Sequence, residues 1–247
     1  MFQHHKLISI CIGLLYMVVL QIFSSPQPVF RFLLPAFLAV LGLTYAYNRA
    51  YLKHLGQYNF WVLLRPSLLE SAGFLLYLLL PGPFSRGLFF IATVAIIAVF
   101  ESLLANFSEN VLLNQTLLTA FGFAYAFLGF SQYFPSFGFL YLLSFFASAF
   151  LIARCFYEFI PHQGNIKLLN ALGVAFLSTQ VFWGISLLPF DFAALAVLMF
   201  LFFYVLLVLN YFSLFQTLTL KKIKFYFGLA GLSVILVFAA TKWGIIK

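Results

Sequence analysis

The chain has 247 residues, of which 65% are hydrophobic and 7% charged, with a formal net charge of +8. A soluble domain holds about 45–50% apolar and about 25% charged residues, and its exterior must face water, so this composition excludes an ordinary water-soluble fold. Nucleic acid is excluded as the reason for the charge: the 13 Lys and Arg residues stand singly at the ends of apolar runs, apart from Lys221, Lys222 and Lys224, which is the pattern of orientation signals beside membrane spans and not of a phosphate-binding stripe.

Nine apolar segments follow one another. Residues 7–23 come first, behind Lys6. This run is long for the apolar part of a signal peptide, and Ser24-Ser25-Pro26 is not a small-residue cleavage site, so it reads as a retained span. Residues 29–47 are the second span, followed by a polar loop over 48–59 with Arg49, Lys53 and His54. The third span is 60–80, ended by Pro81-Gly82-Pro83, and the fourth is 87–104. The polar stretch around Asn106, Glu109, Asn110 and Asn114 reads either as a turn or as a polar helix extension. The fifth span, 111–133, is broken from the sixth, 137–160, by Phe134-Pro135-Ser136. Pro161-His162-Gln163-Gly164 stops the sixth, since proline and glycine do not continue a helix easily. The seventh is 166–188; Asp191 is placed to N-cap the eighth, 192–216. The basic residues 220–224 lead into the ninth, 225–243.

Each run has about the 17–25 residues that cross a hydrocarbon core, and a lipid-exposed backbone must satisfy its own hydrogen bonds. The expected fold is therefore all-α: a polytopic bundle of about nine transmembrane helices, one transmembrane domain over 1–247 with no soluble domain. With the N-terminus in the cytoplasm, Lys6, Arg49, Lys53, Lys167, Lys221, Lys222 and Lys224 fall on the inner side and Arg65 and Arg154 near inner helix ends. Only Arg31, Arg86, Lys242 and Lys247 are left outside. The bias favours this orientation in a plasma or inner membrane; an eight-span version would return the C-terminus to the inside.

Few residues offer chemistry. There is no HExxH, no GxSxG and no paired-Asp motif. The four His do not pair at i, i+4 within a span, so no haem or zinc site within one helix is implied and no metal or cofactor is expected, a site assembled from different helices being the alternative. Cys11 and Cys155 lie singly in spans as small apolar residues. Glu70 is the most informative position, near the middle of the third span, where a charge costs at least about 2.5 kcal/mol. It must face the bundle, face water, or hold a proton. It reads as a substrate, ion or proton site, or as a polar contact between helices. A third reading is a Ser67–Glu70 capping box restarting the helix after Pro66.

Arg154, Glu158 and His162 form an i, i+4, i+8 series, read as a self-neutralising pair or as an anion or lipid-headgroup site. Gln180, Asn210 and Gln216 read as packing groups. At about 1.5 Å per residue, Arg65, Glu70, Glu101, Gln115, Arg154 and Glu158 fall at overlapping inner depths. They are the candidate substrate- or ion-binding residues, expected to converge in a pocket open to the cytoplasm; the alternative is separate snorkelling to the interface.

The leading expectation is a small permease or a non-catalytic membrane subunit of a larger complex. The alternative is an intramembrane lipid-modifying enzyme, with Glu70 or Glu101 as base and Arg65 or Arg154 holding a phosphate. The expected partners are membrane lipids, with partner membrane subunits or further copies of the chain, and no nucleic acid.

Overall fold

The computed structural model describes residues 2–24, 30–56, 58–80, 82–104, 109–160, 164–215 and 219–240. Within them the chain is helical: α1 (Phe2–Ser24), α2 (Phe30–His54), α3 (Phe60–Leu79), α4 (Pro83–Ser102), α5 (Glu109–Tyr133), a 3₁₀ turn (Pro135–Phe137), α6 (Gly138–Tyr157), α7 (Gly164–Ser186), α8 (Phe192–Leu214) and α9 (Leu220–Ala240). Six of these helices are long and apolar enough to cross a membrane: Phe60–Leu79, Phe84–Ser102, Val111–Tyr133, Pro135–Tyr157, Gly164–Ser186 and Phe192–Leu214. Shorter apolar helical stretches span Leu7–Ile22 and Ile223–Ala239. Large apolar side chains such as Ile91, Phe139, Leu169 and Leu220 face outward, while Thr44, Asn48, Glu70 and Glu101 are buried. Apolar outside and polar inside is the distribution of a multi-pass helical membrane protein.

The chain divides into two compact units, Met1–Gln115 and Thr116–Lys247. In the first, α1 packs against α2 and α4, α2 against α3, and α3 against α4, so four helices close a ring. One end of its core is apolar and aromatic, built from Tyr16, Met17, Leu20, Leu33, Phe37, Val40, Phe74, Tyr77 and Ile97. The Phe37 and Phe74 rings stack with centroids 4.1 Å apart. Gly13 lets α1 lie directly on α4: a Cβ there would sit 3.3 Å from the Val94 carbonyl oxygen.

Local signals set the helix ends. The Asn59 side chain accepts from Trp61 N–H at 2.9 Å and starts α3. Pro83 stands at the start of α4, where its missing N–H costs nothing, and Ser85 Oγ accepts from Gly82 N–H and donates to Gly82 carbonyl. The polar loop expected over 48–59 is shorter than the sequence indicated, because α2 runs on to His54. Tyr45, Tyr47, Asn48 and Arg49 lower the hydropathy there, but Leu52 continues the buried stripe of the helix.

In the second unit α6 packs on α7, α7 on α8 and α8 on α9. α5 joins through rings: Phe127 meets Phe145 of α6, and Phe121 and Tyr125 meet Phe200 and Phe192 of α8. Phe145 also stacks on Phe182 of α7 at 4.3 Å. Asp191 does cap α8, accepting from Ala193 N–H.

Candidate functional site

The first unit's interior changes character along its length. On α2 the residues facing inward are Leu33, Phe37, Val40, Thr44, Asn48 and Leu52, spaced three or four apart as one helical face requires. The stripe is apolar as far as Val40 and polar at Thr44 and Asn48. These two sit one turn apart, about 6 Å along the axis, and each reaches a carboxyl on a different helix. Thr44 Oγ1 donates to Glu70 Oε1 of α3 at 3.0 Å. Asn48 Nδ2 donates to Glu101 Oε1 of α4 at 2.9 Å. Glu70 is 0% and Glu101 1% exposed, and they lie near enough for their charges to interact.

α1 supplies the fourth side. Tyr16 Oη donates to the Glu70 main-chain carbonyl at 2.6 Å. The hydroxyl reaches that carbonyl across Gly73, where a Cβ would sit 3.1 Å from it. Glycine here leaves room for this close approach, and its backbone angle is ordinary. Among the described residues Glu70 Oε2 and Asn48 Oδ1 are buried and accept no hydrogen bond.

α3 is continuous through Pro66, and the Ser67–Glu70 capping box is not formed. Ser71 Oγ donates to the Ser67 carbonyl at 2.7 Å, and the Glu70 carboxyl turns to Thr44 instead. An unbroken helix has no orphan N–H at Ser67 to cap. Arg65 is buried on the same helix at 4% exposure, five positions before Glu70 and so about 140° around the axis from it. Gln115 is buried at the end of the first unit.

The second unit holds Arg154 and Glu158, which form an ion pair one turn apart at the end of α6. Lys167 of α7 closes the group, its Nζ 3.9 Å from Glu158 Oε1 and donating to the Glu158 carbonyl at 3.0 Å. Gln180 is exposed, in a groove between α6 and α7 lined by Phe139, Phe146, Phe176 and Trp183. Residues 25–29, Asn106, His162, Gln216, Lys242 and Lys247 lie outside the described residues.

Sequence reading missed Thr44, Asn48, Tyr16 and Gly73. The usable signal was the 33, 37, 40, 44, 48 spacing on α2, which runs through the point where the apolar run was judged to end. Among the described residues no three His, Cys, Asp or Glu side chains gather to hold a metal ion. Glu70 meets instead the Thr44 hydroxyl and, through space, the charge of a second carboxyl, Glu101. No protein-family model, curated protein or solved structure matches this chain.

Proposed function

We propose that this protein is a small multi-pass membrane permease whose binding site lies inside the α1–α4 unit around Glu70 and Glu101, with Arg65 and Gln115 at its margin. All nine helices are taken to span, with the N-terminus in the cytoplasm. The observation that carries the reading is the pair of buried carboxyls, each held by one residue of the same face of α2. Two carboxyls inside one four-helix ring are expensive to bury, and a structural polar contact would need neither of them ionisable: Gln would serve. Arg154 and Glu158 take the bland role, since Lys167 and Arg154 already answer the Glu158 charge.

The test is flux. Purified full-length chain in proteoliposomes is offered a panel of radiolabelled small solutes, and Glu70→Gln and Glu101→Gln are run beside it. Uptake above that of empty vesicles, lost in the variants while thermal melting stays close to the parent, supports the proposal. Folded protein with no uptake of any solute would sink it.

A second reading, a non-catalytic subunit of a larger membrane assembly, draws on α9. That helix packs on α8 and leaves Phe225, Phe227, Leu232, Ile235 and Leu236 exposed. Particle mass in native nanodiscs separates the two, because a subunit extracts as a larger complex and a permease as copies of one chain.

A further inference from the structure

We infer that Glu70 and Asn48 bind a small monovalent cation, a proton or a sodium ion, in the interior of the α1–α4 unit. The inference deepens the permease reading and rests on it for what the ion is used for, namely coupling.

The first argument is a surplus of acceptors. The donors seen on the inner face of the unit are engaged elsewhere: Thr44 Oγ1 on Glu70 Oε1, Asn48 Nδ2 on Glu101 Oε1, and Tyr16 Oη on the Glu70 main-chain carbonyl. Left over are Glu70 Oε2 and Asn48 Oδ1, on residues that are 0% exposed. A buried acceptor without a donor is costly, and each of these two oxygens, on neighbouring helices, carries that cost. A proton on Glu70 turns one of them into a donor. A sodium ion coordinates both, oxygen being the ligand that hard cations take.

The second argument is charge. Among the described residues, the buried charged side chains of the unit are Arg65, Glu70 and Glu101. Two carboxylates against one guanidinium leave one negative charge in a low-dielectric interior, where an unbalanced charge is far more costly than in water. A single positive charge brings the interior to neutrality, and a divalent ion would overshoot.

The groups facing Glu70 bear on which ion binds. From α1 the titratable group is Tyr16, and from α4 it is Glu101. α2 offers Thr44 and Asn48, neither titratable, and α3 itself carries Arg65. No histidine stands among them.

The experiment uses the full-length chain in nanodiscs and two probes. Equilibrium binding of radioactive sodium is measured across pH, and the infrared band of protonated carboxyl groups is followed over the same range. Saturable sodium binding that Glu70→Gln abolishes identifies sodium. No sodium binding, but a carboxylic acid band that disappears reversibly as the medium is made alkaline and is missing in Glu70→Gln, identifies the proton.

Thr44→Val keeps the carboxylate and removes the hydroxyl that orients it. The expected loss in cation affinity is about 10–100-fold, the usual effect of an orienting partner, with folding checked by thermal melt. Sodium binding unchanged in Glu70→Gln overturns the inference. So does a Glu70 acid band that no change of pH alters, which marks a permanently neutral structural group. Solute flux is scored separately: flux with no cation at Glu70 retires this site and keeps the permease, whereas a cation at Glu70 without flux keeps the site and retires the permease.

Discussion

At the scale of single residues, the chemistry of the first unit depends on what surrounds Glu70. Glu70→Gln is expected to insert and fold like the parent, because Gln offers Thr44 the same acceptor, while abolishing any charge-dependent activity. Glu70→Leu removes the acceptor and leaves the Thr44 hydroxyl buried without it, so melting in detergent should fall. Equal or raised stability for Leu would mean that position 70 gains nothing from its polar neighbours. The contact at Gly73 is testable by a double-mutant cycle. Gly73→Ala pushes a methyl group against the Tyr16 hydroxyl, an overpacking change of about 1–3 kcal/mol. Tyr16→Phe forgoes one hydrogen bond, about 1 kcal/mol. In the Tyr16→Phe background Gly73→Ala should cost clearly less, since the obstructing oxygen is gone; additivity between the two would contradict the contact. Glu70 itself was legible from composition alone, because a carboxyl in the middle of an apolar run has few places to go. Its partners were not. Thr44 and Tyr16 are ordinary residues in apolar helices, and only the fold brings the Thr44 hydroxyl to the Glu70 carboxyl and the Tyr16 hydroxyl to the Glu70 main-chain carbonyl.

At the scale of elements, hydropathy located each described helix and misplaced some ends. It separates the helices because a span must be apolar for its whole crossing. It fails at the end of α2 for a physical reason: the residues that end the apolar run are the ones the ring interior uses. Asn48 faces a carboxyl on another helix, so polarity there marks a site and not a loop. The opposite case is Asp191, which the sequence placed correctly because an N-cap is a local interaction. Asp191→Ala should cost about 1 kcal/mol, read as a small fall in melting temperature with activity unchanged. A larger loss, or lost activity, would mean that Asp191 does more than start α8.

At the scale of the whole molecule, the orientation proposed from the basic residues is open to direct measurement. Reporter fusions after residues 55, 85, 165 and 247 should read inside, outside, inside and outside. Termini reporting from one side would remove a span from the count, first of all near residues 105–108. Composition made the membrane legible, since apolar surface in this quantity has nowhere else to go. The charge balance of the interior was not legible, because it depends on which of the charged residues point inward.

The clamp where α6 meets α7 bears on how the chain is made. Synthesis delivers the helices in order, N-terminal first, and an acid that must wait for a distant partner delays the helix that carries it. Glu158 does not wait. Arg154 precedes it by four residues, and Lys167 follows nine residues later, so the charge is answered from both sides before α7 is complete. The two helices can therefore leave the translocon as a finished hairpin. Arg154→Ala would take away the base that precedes the acid on its own helix, and the loss should show first as a lower yield of inserted protein and only later, if at all, in the behaviour of the mature molecule.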